Sequence, residues 1–303
     1  VQQQQLQQQP RNPIASFFGA LFGGGRGQRE VRPSEPIPNR APSTRSRSTP
    51  RSSGGTRTTR PSRAAPAPAA VAKSETAIQV VVFGDAYAAG LAEGLTEAFQ
   101  EDPGIEIVSA AKAGDGLAVQ APDPLPQKVR TFLADPERRL DMAVVMVGLD
   151  DRVPIREGGQ DVAFGAERWR DLYAQRVENL MQVFLARGKP VYWVGLPPVA
   201  ARGMSAENGV FNEIFRARAY RTGADFVDIW NGFVDENNDY AASGPDVKGE
   251  IRQLREEDGV GFTSAGARKV AHFVAREIRR DYVGGGEIVD LSPAPQEGPR
   301  PYL

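Results

Sequence analysis

Ile78-Gln-Val-Val-Val-Phe-Gly-Asp-Ala86 is the stretch on which the fold turns. The run from Ile78 to Phe83 is apolar apart from Gln79, is rich in β-branched residues, and breaks off at Gly84-Asp85. A strand covered on both faces has this composition, because neither set of alternating side chains meets water. Residues Ala88 to Phe99 then have helical character, and Ile105-Glu-Ile-Val108 reads as a second strand. Leu140 to Val147 is a third, again ending in a glycine followed by acids. Trp169, Tyr173, Val177, Leu180 and Phe184 recur every three or four residues, marking one face of a long helix. That spacing makes Trp169 and Tyr173 core residues rather than a sugar platform, and Gly188 is placed to end the helix. Val191-Tyr-Trp-Val194 is a fourth strand, with Trp193 in the core, closed by Gly195-Leu-Pro-Pro198. Residues 206–221 read as a helix and Asp225-Phe-Val-Asp-Ile229 as a fifth strand. A last helix opens at Thr263 and runs to Tyr282, with Thr263 or Ser264 as its N-cap. Strands alternating with helices predict an α/β fold, a doubly wound parallel five-stranded sheet with helices on both faces. In such sheets ligands bind at the carboxyl ends of the strands, where this sequence concentrates Gly and Asp.

The flanks differ from this domain, placed at 76–283. Residues 1–75 carry 12 Lys and Arg against 3 Asp and Glu, a net charge of +9. The remaining 228 residues carry 25 against 35, a net of −10. Residues 1–75 are rich in Gln, Pro, Ser and Arg, too polar to offset the entropy of ordering, and are expected to be a disordered basic tail. Such a tail suits an anionic surface or a protein partner, with no specific nucleic acid implied. Within it, Ile14-Ala-Ser-Phe-Phe-Gly-Ala-Leu-Phe22 is either a short docking helix or a sticky patch. Residues 284–303, Gly-rich and then Pro-rich, are expected to be a second disordered tail. Cysteine is absent, which removes disulfides, Cys-ligated zinc and thiol catalysis. No apolar run approaches the ~20 residues of a transmembrane helix. The chain begins at Val1 rather than Met, as signal-peptide removal or trimming of the sequence would leave it, and a periplasmic or exported location is expected.

Four loops that follow strands carry short polar motifs: Gly84-Asp85-Ala86, Ala113-Gly114-Asp115-Gly116, Gly148-Leu149-Asp150-Asp151 and Asp258-Gly259-Val260-Gly261. With Tyr192-Trp-Val-Gly-Leu-Pro-Pro198, Phe226-Val-Asp-Ile-Trp230 and Phe262-Thr-Ser-Ala-Gly-Ala-Arg-Lys-Val-Ala-His272, they make seven blocks in order. Over residues 78–281 the chain resembles the SGNH (GDSL-type) hydrolases, most closely an uncharacterised exported bacterial branch. The resemblance implies an ester-hydrolysing triad: a nucleophilic Ser after Gly-Asp, an oxyanion hole that uses a Gly and an Asn, and an Asp-x-x-His before the last helix. Carried over by position, the nucleophile is Ala86, the oxyanion Asn is Asp150 and the base is Gly261, while Gly116 and Asp258 are retained. The oxyanion-hole positions are thus Ala86, Gly116 and Asp150, and Asp258 is the one triad member left.

Each replacement removes a chemical capacity. Ala86 has no atom that attacks a carbonyl, and Gly261 has none that takes a proton. Asp150 only accepts hydrogen bonds and, ionised, repels the oxyanion it should stabilise. Losing one triad member costs on the order of 10⁴ to 10⁶ in rate. His272, the single histidine, falls mid-helix and reads as structural, and Ser109 and Ser264 read as a strand end and a helix cap. Asp85, Asp115, Asp150 and Asp258 are expected to converge on an opened, acidic crevice, where a hard cation or cationic group is conceivable. Solvated loop carboxylates are common, so no metal and no cofactor is assigned. Asp85, Asp115, Asp151, Arg252 and Arg255 are the ligand-binding candidates. The last two lie with Asn237-Asn238-Asp239 in a long loop, 231–257, of the kind that often contacts ligands. The expected function is an SGNH-like cell-envelope protein, inactive as a serine esterase, that binds a ligand or partner, an acylated glycan or another ester being the ancestral ligand. The alternatives are an active acyl or O-acetyl esterase with a rebuilt site, and a scaffold subunit of an envelope assembly.

Overall fold

The computed structural model describes residues 71–283 and 287–288. The expectations for residues 1–70, including Ile14–Phe22, and for most of 284–303 lie outside the described residues. The packed chain begins earlier than the predicted boundary at 76. The Val71 and Ser74 N–H groups donate to the Gln100 and Pro103 carbonyls, and the Lys73 ammonium donates to the carbonyls of Phe99 and Asp102.

Five parallel strands form the central sheet: β1 (Ile78–Gly84), β2 (Ile105–Ser109), β3 (Met142–Met146), β6 (Val191–Val194) and β7 (Asp225–Val227), in the order β2-β1-β3-β6-β7. Between β3 and β6 a small hairpin, β4 (Ile155–Glu157) and β5 (Gln160–Val162), stands apart. The helices are α1 (Ala86–Ala98), α2 (Leu125–Ala134), α3 (Glu167–Leu185), α4 (Arg202–Thr222) and α5 (Ser264–Asp281). Every residue of β3 and all of β1 except Gln79 is buried, as strands covered on both faces must be. One cover is α1 against α5. It is close because Gly94 has no side chain: a Cβ there would lie 2.6 Å from the Ala267 carbonyl oxygen. On the other face, the Phe83 ring of β1 meets Phe132 of α2 and Phe184 of α3, and α3 packs on α4. Trp169 and Tyr173 stack at 4.7 Å beside Phe211, deep in the core. The strand order reverses at β1, so the carboxyl ends of β1 and β3 flank the switch-point crevice.

Some boundaries differ from expectation for local reasons. Helix α1 starts at Ala86, not Ala88, because the Asp85 side chain caps it. Strand β7 ends at Val227, where the Asp228 carboxylate accepts the Trp230 N–H and turns the chain. Thr263 is the N-cap of α5, accepting from the Gly266 N–H. The expected long loop 231–257 is instead a bridge, Val234 to Tyr240, followed by a hairpin of β8 (Ser243–Pro245) and β9 (Ile251–Gln253).

Candidate functional site

The crevice begins where β1 stops. Gly84 has φ 134°, and a Cβ there would sit 1.8 Å from the Met146 carbonyl oxygen of β3, so only glycine lets these two strand ends meet. Asp85 follows and is fully buried. One carboxylate oxygen accepts the Tyr87 N–H at 2.9 Å, and the other accepts the N–H groups of Gly148 (2.9 Å) and Leu149 (2.8 Å). Burial pushes this carboxyl up to about 7, against the pull of those three donors. Asp85 therefore ties the loop after β3 to the start of α1, and the expectation that it contacts ligand is corrected. Ala86, the first residue of α1, is exposed at the strand-to-helix turn.

Two further candidates face inward. Asp151 is fully buried, with one oxygen accepting the Ala118 N–H at 2.7 Å and the other accepting the Tyr173 hydroxyl at 2.7 Å. Burial raises its carboxyl above the ordinary range. It also lies against Gly116: a Cβ at 116 would be 2.3 Å from the Asp151 Oδ1 atom. Asp115 is buried in an ion pair with Lys128. Asp150, by contrast, is exposed, and its Oδ2 accepts the Gly114 N–H at 3.2 Å. The second and third loops thus meet through a carboxylate that accepts, at the position where the resemblance calls for a donor.

The fourth loop closes the other side. Asp258 is exposed, and its Oδ1 accepts the N–H groups of Val260 and Gly261, both at 2.8 Å. Those donors hold its carboxyl below the ordinary range. A Cβ on Gly261 would lie 3.6 Å from that same oxygen, and 3.0 Å from the Glu256 Cγ atom. The Tyr87 hydroxyl donates to the Val260 carbonyl at 3.0 Å. Through this bond the turn carrying Ala86 and the loop carrying Gly261 are joined one residue away from each.

The carboxylates do not converge as expected. Among the described residues no three His, Cys, Asp or Glu side chains are grouped to hold a metal ion. Asp85 and Asp151 point into the protein, Asp115 is engaged by Lys128, Asp150 accepts from the second loop, and Asp258 accepts from within its own loop. Arg252 lies on the exposed hairpin, paired with Glu250 and remote from these loops in its contacts. Arg255 is not a surface ligand either. It is fully buried under the fourth loop, its guanidinium 4.5 Å from the Phe262 ring centroid and 5.6 Å from that of Phe233. It donates to the Val260 carbonyl, while Nε and Nη1 have no partner among the described residues. His272 is exposed on α5. Sequence inspection passed over Tyr87 and Arg152. The Arg152 guanidinium donates to the carbonyls of Gly148 and Leu149 and to Glu207 and Asn208, fixing the third loop to α4. A tyrosine directly after the helix-opening residue was the one available sign of the first.

The sequence matches the family described as "Protein of unknown function (DUF459)" over residues 79–277. No curated protein matches the chain. Similar solved structures include a GDSL-like lipase from Bacteroides thetaiotaomicron, 14% identical, covering 67% of this chain and 88% of that one at a TM-score of 0.47. Another is TesA, 16% identical, covering 67% and 98% at 0.48. A third is a catalytic mutant of Axe2, an acetylxylan esterase from Geobacillus stearothermophilus, 16% identical, covering 69% and 96% at 0.46.

Proposed function

The chain belongs to the DUF459 family, an SGNH-like family, and within it we propose that this member binds a ligand at the strand-end crevice and does not cleave esters by serine chemistry. A fold of this kind does not by itself specify activity, so the proposal rests on the site. One observation carries it: the exposed turn that would present a nucleophile presents the methyl group of Ala86, and the loop joined to it presents Gly261, with no proton acceptor. The scaffold around these positions is nevertheless fully built. Asp85, Asp151 and Tyr87 hold the four loops in register, and Asp258 still lies beside position 261. A binding role in the bacterial cell envelope, with the basic residues of 1–75 meeting an anionic surface or partner, accords with the charge division of the chain. Among the described residues no helix is long and apolar enough to cross a membrane.

A fluorophosphonate probe, which labels activated serines covalently, tests the proposal. The wild-type chain is expected to remain unlabelled, and an Ala86→Ser, Gly261→His variant to acquire label. Stoichiometric labelling of the wild-type protein would contradict it.

A further inference from the structure

Beside the crevice runs a groove of about 460 Å³, between the start of α4 and the segment that follows β7. We infer that this groove is a binding site for a neutral oligosaccharide, an inference that rests on the crevice being a binding rather than a hydrolytic site. Its volume is that of a small-molecule site, for which about 300–1,000 Å³ is typical. It sits at the carboxyl ends of β6 and β7, and it adjoins the fourth loop through the Ala200 N–H, which donates to the Gly259 carbonyl at 3.1 Å.

Six residues give the groove its character: Arg202, Gly209, Trp230, Asn238, Asp239 and Tyr240. Trp230 is half-buried there, whereas Trp169 and Trp193 are at most 1% exposed. The one tryptophan that reaches solvent therefore lines this groove, together with the ring of Tyr240. Arg202 has no hydrogen bond or ion pair to any described residue, although Arg216, Arg218 and Arg221 of the same helix are each paired with an acid. Asn238 is the single non-glycine residue with positive φ, 63°, among the described residues. The turn that strains it is clamped by Asp235, whose Oδ1 accepts the N–H groups of Asn237 and Asp239, both at 2.9 Å. Asn238 and Asp239 are thereby fixed on the groove wall, a strained arrangement of the kind found at ligand clamps. Gly209 lines the groove from α4. It lies within α4, where glycine is unfavourable, yet no atom lies within 4 Å of where its Cβ would be. Its absent side chain serves no packing contact and leaves the groove open.

Chemistry selects the ligand class. Two aromatic rings offer flat apolar faces, as the C–H faces of a pyranose require. The indole N–H, a phenol, an amide, a guanidinium and a carboxylate offer donors and acceptors for hydroxyls in several directions. One guanidinium, Arg202, and one carboxylate, Asp239, line the groove, so it carries no net charge to select an ionic ligand.

Acrylamide quenching of tryptophan fluorescence in the full chain reads this directly, because Trp169 and Trp193 are buried. Millimolar chito-, cello- and malto-oligosaccharides are the probes. At least one series should protect the accessible fluorescence saturably, and Trp230→Phe should abolish the accessible component. Gly209→Leu should leave the melting temperature unchanged or raised and weaken the saccharide response at least tenfold. No saturable protection by any series, or protection undiminished in Gly209→Leu, overturns the inference. A missing saccharide response without ester turnover rejects the groove alone, whereas ester turnover lost on Asp258→Asn rejects the reading of the crevice.

Discussion

Burial holds the Asp85 carboxyl at about 7 in the folded chain, against 3.8 in the unfolded one. A proton is therefore bound more tightly in the folded state, and the contribution of Asp85 to stability is greatest below about pH 4. That contribution is lost as pH climbs through the window from about 4 to 7, by up to about 4 kcal/mol at roughly 1.4 kcal/mol per pH unit. Asp151, also raised by burial, acts in the same direction. Denaturant unfolding across this window should show a wild-type stability that falls relative to Asp85→Asn, and a wild-type stability that rises relative to that variant would refute the assignment. The same residue shows what a sequence withholds. Acids in loops after strands read as solvent-facing, since carboxylates are seldom buried. Which of them turn inward depends on backbone donors from other loops: Gly148 and Leu149 for Asp85, Ala118 for Asp151. Those donors lie 63, 64 and 33 residues away in the chain, beyond any local pattern.

At the scale of elements, periodicity carried most of the architecture. The buried runs of β1 and β3 and the three-to-four spacing on α3 were legible because each element buries a continuous face. Helix α2 was not read, being only ten residues long, preceded by Pro124 and with Pro126 in its first turn, although Leu125, Val129 and Phe132 do line its buried side. The β8–β9 hairpin escaped because its strands are three residues each and none of their residues is buried, so no alternation marks them. Two helical glycines give opposite expectations for one substitution. Gly94→Ala improves helix propensity by about 1 kcal/mol, but its Cβ meets the Ala267 backbone oxygen at 2.6 Å. Overpacking between α1 and α5 should prevail and destabilise by about 1–3 kcal/mol. Gly209→Ala meets nothing and should stabilise by up to about 1 kcal/mol. Urea midpoints moving in the same direction for both would contradict the account of these two positions.

For the whole molecule, the intact scaffold and the proposed loss of serine chemistry have separate causes. The five-stranded sheet depends on the apolar runs and on glycines such as Gly84, and neither Ala86 nor Gly261 lies in a strand. On the proposed reading, Ala86, Asp150 and Gly261 can therefore stand where the resemblance places catalytic groups without disturbing the sheet. The crevice was legible in the sequence as an ordered set of loops, whereas the joining of its two sides by the Tyr87 hydroxyl was not. Gly261 has no positive φ, and a Cβ there would lie 3.0 Å from the Glu256 Cγ atom, so a histidine requires a shift of Glu256 by a few tenths of an ångström and would then stand beside Asp258. Turnover of a short acyl ester by the wild-type chain, Asp258→Asn, and an Ala86→Ser, Asp150→Asn, Gly261→His variant tests the central claim most directly. The account predicts no wild-type turnover above buffer, no effect of Asp258→Asn, and a gain of about 10² or more in the triple variant. Wild-type turnover that disappears in Asp258→Asn would contradict it.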